Sequence, residues 1–425
     1  MLKNFQVKVF CIILGVSFAF QDIRDLGRLL GPSGASISGI IMFLAFTVIT
    51  KSEPKKTENM YIKELIIFTG LISLILLPTQ DYFLYGETVW VKAIKVAASM
   101  VVLLISFKYG QTFFVHYGEL LAYVAFPFLL TMYLGVFLER IELFPNVEKS
   151  FFHYTQNFTQ RPRGFATEPS TLAYSISIGI GLIGLLSTKR VFRQLLLLCL
   201  VLSGFVVTVS RGYVGAVALT VLLVFLILIL KRIGRSNVKL KAAFITTLLL
   251  TQSLFIGLLL RSNLWSNFSK GTSDTTREAW AAMTVTGLSQ SPFGAGYQGL
   301  ITAAPNYLKE YTEKNSIRFS GSNLRELILT YSQSSDFAIS PKTITSLFVI
   351  TSGIFGFAFV FLLIYKIMYL SLRNEQIGFW ELFGIVLTLI TLVNYAGGLS
   401  SFSAFFILGF FIERFKVVEM SASEN

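Results

Sequence analysis

A glutamate set between two arginines and a proline able to open a helix is the feature of this sequence best suited to chemistry. The stretch Arg161-Pro162-Arg163-Gly164-Phe165-Ala166-Thr167-Glu168-Pro169-Ser170 runs directly into an apolar segment. Proline is favoured at the first helical position, where its missing N–H is not needed, so a helix starting at Pro169 leaves Glu168 at its mouth. A carboxylate there has two readings. It can complement the positive end of the helix dipole, or, held beside Arg161 and Arg163 within reach of a substrate hydroxyl, it can act as a general base.

Three further cations stand at comparable places. Arg211, in Val209-Ser210-Arg211-Gly212-Tyr213, is wedged between two apolar runs. A cation there is costly unless it is paired, faces a ligand, or snorkels from a helix end. Arg277 falls in the first turn of a helix predicted from the capping-box spacing Thr275-x-x-Glu278 and the helix-forming residues after it. A cation opposes the dipole there, so helix stability does not ask for it, although the penalty at an exposed site is only a few tenths of a kcal/mol. Lys342, in Ser340-Pro341-Lys342-Thr343, precedes the next apolar run and reads either as an interfacial anchor or as a ligand contact. Gathered at one opening, Arg161, Arg163, Arg211, Arg277 and Lys342 would suit a pyrophosphate, because guanidinium forks hold phosphate oxygens bidentately.

Other chemistries have little to stand on. His116 and His153 lie far apart in the chain, so a histidine-based zinc site is not expected. Cys11 and Cys199 both sit in apolar stretches and read as small core residues rather than a disulfide pair. No P-loop, dinucleotide fingerprint or paired-aspartate metal motif occurs, and Gly294-Ala295-Gly296 reads as a tight turn, not a phosphate cradle. Neither a metal nor a cofactor is expected.

The elements that must position these residues are membrane helices. Of the 425 residues, 54% are hydrophobic and only 14% charged, against about 25% charged in an average soluble domain; the mean hydropathy is +0.67. Apolar segments at 6–20, 36–50, 63–79, 88–107, 117–138, 169–187, 194–209, 212–230, 242–260, 344–370, 379–396 and 399–412 give about 12 transmembrane helices. The first follows Lys3 and Lys8 without a small-x-small cleavage site, so it is read as a helix rather than a leader. No linker interrupts the pattern, and residues 1–425 read as one polytopic all-α bundle.

The net charge of +13 does not point to nucleic acid, because the basic residues cluster beside the ends of apolar runs. Alternating the spans puts Lys51, Lys55, Lys56, Lys108, Lys189, Arg190, Arg193, Lys231, Arg232, Arg235, Lys239, Lys241, Arg373, Arg414 and Lys416 on one side, the cytoplasm by the positive-inside rule. Both termini then lie inside. The other side receives residues 139–167 and the large segment 262–343, which is expected to be partly helical and to cap a cavity, together with the Ser210-Arg211-Gly212 turn.

Several of these motifs carry a resemblance. Thr276-Arg277-Glu278-Ala279-Trp280, followed by Ser291-Pro292-Phe293-Gly294-Ala295-Gly296, resembles the large periplasmic loop of the O-antigen polymerase and ligase superfamily. Ser210-Arg211-Gly212 is similar to that superfamily's Ser-Arg-Gly motif, and Arg163-Gly164 with Glu168-Pro169-Ser170 to the Arg-Gly and Glu-Pro-Ser element of its polymerase branch. The combination covers roughly residues 160 to 360.

The resemblance implies a metal-independent glycosyl transfer at the periplasmic face of the bacterial inner membrane. The growing glycan on undecaprenyl pyrophosphate would be the donor, and an undecaprenyl-pyrophosphate-linked repeat unit the acceptor. By this analogy Arg211 and Arg277 would hold the donor pyrophosphate. Glu168, chosen on chemical grounds, would deprotonate the acceptor hydroxyl. Ligases of the superfamily carry a Pro-His-Asn element where this chain has Ser340-Pro341-Lys342-Thr343, followed by Gly353-x-x-Gly356-Phe357. The missing histidine favours polymerase over a ligase acting on lipid A core. A lipid-linked oligosaccharide flippase is the alternative of another class, disfavoured because the charges gather on one outer face and no internal repeat is evident. Membrane lipid and a chain-length regulator are the other partners to be considered.

Overall fold

A computed structural model describes residues 2–20, 62–76, 83–84, 87–141, 162, 164, 169–186, 190–208, 211–233, 237–260, 272–314, 328, 343–394 and 401–423. The fold is helical. In chain order the helices are α1 (Leu2–Ala19), α2 (Ile62–Ile75), α3 (Val89–Tyr117), α4 (Ala122–Arg140), α5 (Pro169–Gly184), α6 (Arg190–Thr208) and α7 (Arg211–Arg232). Then follow α8 (Val238–Leu260), α9 (Thr272–Gln290), the single turn α10 (Gly299–Thr302), α11 (Ala304–Lys314), α12 (Ile344–Arg373), α13 (Phe379–Asn394) and α14 (Phe402–Ser423). A two-residue antiparallel ladder of β1 (Phe83–Leu84) and β2 (Glu87–Thr88) pairs Phe83 with Thr88 and leads into α3.

Among the described residues, four helical stretches are long and apolar enough to cross a membrane: Val89–Arg140, Val191–Thr208, Gly212–Arg232 and Ile344–Arg373. The shorter Phe5–Ala19, Thr171–Gly184 and Phe379–Asn394 are also apolar. The first stretch is divided by the 3-10 turn Gly118–Leu121, where Tyr117 leaves the helical region at φ −142° and ψ 20°. The sequence places this connection at 108–116, but those residues continue the helix to Tyr117 and the turn falls at the start of the second predicted span. Phe107, Tyr109 and Phe113 are fully buried, so the apolar face that packs in the bundle continues past the predicted boundary. The predicted span 36–50 lies outside the described residues; every other predicted span falls on a helix.

Burial sorts the helices into an inside and an outside. In α13 every residue from Glu381 to Asn394 is buried, and α5 and α14 are buried over 172–184 and 402–413. A helix that is apolar all round has no solvated face, so it belongs in the centre of a bundle. By contrast, α6 exposes Phe192, Leu195, Leu198, Leu202 and Val206, and α7 exposes Leu222, Phe225 and Ile229. Such surfaces suit lipid.

Close contact in the centre depends on small residues, as is usual where lipid removes the hydrophobic drive between helices. The tightest crossing is α3 with α14. A Cβ added to Gly110 would run into the Phe406 carbonyl, and one added to Gly409 into that of Phe107.

α12 is a broken helix. Gly353, at φ 58° and ψ −133°, interrupts it in a backbone region open essentially to glycine alone. The turn Pro292–Gly296 fits into this break. The N–H of Ala295 donates to the Ile350 carbonyl at 2.8 Å and that of Gly296 to Thr351 at 3.0 Å, while Ile354 N–H donates to the Pro292 carbonyl at 2.8 Å. Gly294 and Gly296 adopt positive φ, at 88° and 71°, so the glycine pattern is a tight turn as its sequence suggests.

Candidate functional site at the mouth of the bundle

One end of the bundle is fixed by charge. Glu381, at the start of α13, faces Arg193 of α6 at 3.0 Å and Arg414 of α14 at 3.7 Å, with its second oxygen accepting from the Gly378 N–H at 2.7 Å. Arg193 also donates to the Leu186 carbonyl at 2.9 Å, and Arg414 donates to that of Leu185. Nearby, Lys231 at the end of α7 donates to the Asn374 carbonyl at 2.9 Å, in the link between α12 and α13. The ends of α5, α7 and α12 and the starts of α6 and α13 therefore meet here. Arg193, Lys231 and Arg414, all read from sequence as lying on one side, do so.

The starts of α5, α7 and α12 consequently point to the opposite end, and these are the helix starts that carry the sequence motifs. Pro169 is the first residue of α5, the position read from sequence. Glu168 itself, with Arg161, Arg163 and Lys342, lies outside the described residues. Their flanks are described. Pro162 and Gly164 are buried, and Gly164, at φ 57°, donates its N–H to Glu139 Oε2 at 2.7 Å. A Cβ on Gly164 would meet the Val136 backbone at 3.1 Å, so the Arg163-Gly164 motif leans on the last turns of α4.

Arg211 is the first residue of α7. A cation in the first turn works against the helix dipole, so its position serves something other than helix stability. The hairpin of α6 and α7 is held beneath it by Tyr213, which is buried and donates its hydroxyl to the Val201 carbonyl at 3.3 Å. Tyr133 of α4 reaches the same hairpin through Ser203. α4, α6 and α7 are thus joined by polar contacts close to two of the motifs.

Arg277 lies in α9, which begins at Thr272 rather than at the predicted cap Thr275. Arg277 is thus in the second turn and not the first, as the sequence implied. The physical reason is that the helix takes in Ser273 and Asp274 in its first turn, where an acidic residue is favoured by the dipole, so Thr275 is not the cap. One turn further on, α9 meets the start of α12: Thr284 Oγ1 and Ser346 Oγ are 2.8 Å apart, and Ser346 donates to the Trp280 carbonyl at 3.4 Å. Thr343, immediately after Lys342, caps α12 by accepting from the Ser346 N–H at 3.1 Å. The backbone around Arg277 and the residue following Lys342 are therefore neighbours through one polar cluster.

Sequence reasoning passed over two charged residues. Glu381 was hidden at the start of a predicted span, where an acid reads as a boundary. Lys92 is 2% exposed and lies one turn into α3, beyond the β1–β2 ladder. The signal for Lys92 was present, since a cation inside a predicted span marks a functional candidate. Among the described residues, the structure brings together at the end opposite the Glu381 cluster the first residue of α7, the start of α12 and the stretch of α9 that follows Arg277. No family model matches this chain, and neither a curated protein nor a solved structure matches it.

Proposed function

We propose that this chain is a lipid-linked polysaccharide polymerase of the O-antigen polymerase type, working at the periplasmic face of the bacterial inner membrane. In this reading it crosses the bilayer about 12 times with both termini in the cytoplasm. Arg161, Arg163, Arg211, Arg277 and Lys342 hold the pyrophosphate of an undecaprenyl-linked donor. Glu168 removes the proton of the acceptor sugar hydroxyl as it attacks the donor's anomeric carbon, and undecaprenyl pyrophosphate leaves with the bonding electrons.

One observation carries the proposal. The helix starts that bear the Glu168-Pro169, Arg211-Gly212 and Lys342-Thr343 motifs all lie at the end opposite the Glu381 cluster, and α9 brings the backbone of Arg277 to the same end. Motifs gathered by chance along 425 residues have no reason to share an end.

The broken helix α12 invites comparison with transporters, which often use discontinuous helices to coordinate ions. Here the Ile350 and Thr351 carbonyls and the Ile354 N–H are taken up by the Pro292–Gly296 turn. The break is filled by protein, which favours a structural role for it over an ion site.

The direct test is a strain lacking the gene. A polymerase predicts surface glycan with a single repeat and no long chains. Loss of even the single repeat would overturn the proposal in favour of a ligase or a flippase.

A further inference from the structure

We propose that the Pro292–Gly296 turn is embedded in the lipid bilayer, so that residues 272–314 form a re-entrant hairpin and not a loop lying wholly in water. The inference rests on the chain being a membrane protein and is independent of the chemistry proposed for it.

Three observations lead there. First, α9 does not sit above α12 but runs alongside it in the same direction. Trp280 and Thr284 meet Ser346, and Pro292 to Gly296 meet Ile350 to Ile354. At about 1.5 Å per residue, the turn lies roughly 14 Å along α12 from its first residue.

Second, the surface of the turn on the side of α12 and α2 is apolar, while Gln290 and Glu310 pair on the other side, toward α11. Phe293 is 57% exposed and stacks on Phe355, itself 47% exposed, at 6.5 Å; Phe355 in turn packs against Phe68 of α2 at 4.4 Å. α2 fixes the level, because Thr69 bonds Ser352 at 2.7 Å and Ser73 accepts from the Tyr297 N–H at 2.8 Å. From that level α2 continues with Leu71, Leu74 and Ile75 exposed, and α12 continues the other way with Leu362 exposed. Exposed large apolar residues above, at and below this level describe a lipid contact, since soluble surfaces rarely carry so many.

Third, lipid requires irregular backbone to satisfy its polar groups within the protein, and four successive amides of the turn do so. The N–H groups of Gly294, Ala295, Gly296 and Tyr297 all donate to protein acceptors, and the Pro292 carbonyl accepts from Ile354. Proline at 292 has no N–H to satisfy.

The chain returns to water in α11. Its buried face carries Pro305, Tyr307, Leu308 and Thr312, while Asn306, Lys309, Glu313 and Lys314 are exposed. Tyr307 ties α11 to the end of α9 through Ser291, at 2.7 Å. A two-faced helix beside an apolar turn fits the boundary between headgroups and acyl chains.

The test uses the full chain with Cys11 and Cys199 replaced by serine, reconstituted in phosphatidylethanolamine and phosphatidylglycerol vesicles. A nitroxide is attached at Phe293→Cys or at Lys309→Cys. Oxygen concentrates in the acyl region and a neutral nickel chelate in water. At position 293 the oxygen-to-nickel accessibility ratio is expected to exceed that at 309 several-fold. Equal ratios, with free access of nickel to position 293, would overturn the proposal. The same measurement at Phe355→Cys reads the level of the break without altering the turn, so a misfolded 293 variant does not shield the idea. Loss of the polymerase reading would leave these ratios unchanged.

Discussion

Glu168 is the residue on which the proposed chemistry turns. Replacing it with glutamine keeps its size and hydrogen-bonding reach but removes the base. Glycan elongation by Glu168→Gln should fall about 10²–10⁴-fold, the usual contribution of a positioned base. It is measured as chain-length distribution in membranes holding normal amounts of protein; unaltered long chains would remove Glu168 from the mechanism. Arg211→Lys keeps the charge and loses the planar fork, so it should raise the donor KM with less effect on kcat. Glu381 belongs to a different class of residue. It is the acid between Arg193 and Arg414, and Glu381→Gln leaves two largely buried guanidinium groups facing one another. Breaking a buried pair in this way costs about 3–5 kcal/mol. The expected readout is a lower unfolding temperature in detergent, partly rescued by also replacing Arg414 with leucine. The proline after Glu168 advertised the first residue in the sequence, because an N-terminal proline has a fixed meaning. Nothing comparable advertised Glu381, whose partners come from helices far apart in the chain.

At the scale of elements, the apolar runs were legible because a helix in lipid must be apolar over its whole length, and α5, α7 and α12 start at or within a residue of the positions read from sequence. The break in α12 was not legible. Glycine is common in membrane helices, and Gly353 looks no different in sequence from Gly356 three residues later. Only the arrival of the Pro292–Gly296 turn separates them. Gly353→Ala should therefore cost about 1–3 kcal/mol in backbone strain, and more because the new Cβ would run into the Pro292 carbonyl. Gly70, beside which a Cβ meets nothing within 4 Å, provides the control. Comparable stability for Gly353→Ala and Gly70→Ala would mean that the break is incidental. The pairing of α9 with α11 carries a pH dependence. Glu310 is held below its ordinary pKa of 4.5 by a hydrogen bond from Lys314 and then one from Gln290. A depressed carboxylate pKa adds stability that is present above the unfolded value and fades as pH falls through the folded one. Hydrogen exchange at α11 should accordingly rise below pH 4.5 relative to the intrinsic rate, and Glu310→Gln should flatten that change.

For the whole molecule the positive-inside bias and the three-dimensional packing bear on one another. The bias is a statement about insertion, and it acts on Lys and Arg beside the ends of each apolar run without reference to the final fold. Arg193, Lys231 and Arg414 satisfy it, yet in the folded bundle the same side chains bind Glu381 and the carbonyls of Leu185, Leu186 and Asn374. In the proposed topology one set of cations serves first to orient the chain and then to close one end of the bundle. The two roles can be separated. Arg193→Gln with Arg414→Gln removes two of the cations but leaves those at Lys51, Lys55, Lys56, Lys231, Arg232, Lys239 and Lys241 in place. Orientation should then survive while stability falls. A green fluorescent protein fused after Asn425 should fluoresce in both the parent and the double variant, because it matures in the cytoplasm, and alkaline phosphatase at the same point should be inactive in both. The variant should nonetheless unfold at lower temperature. Active phosphatase on the parent chain would invert the topology, put Arg211 and Arg277 on the cytoplasmic side, and remove the periplasmic glycan donor from their reach.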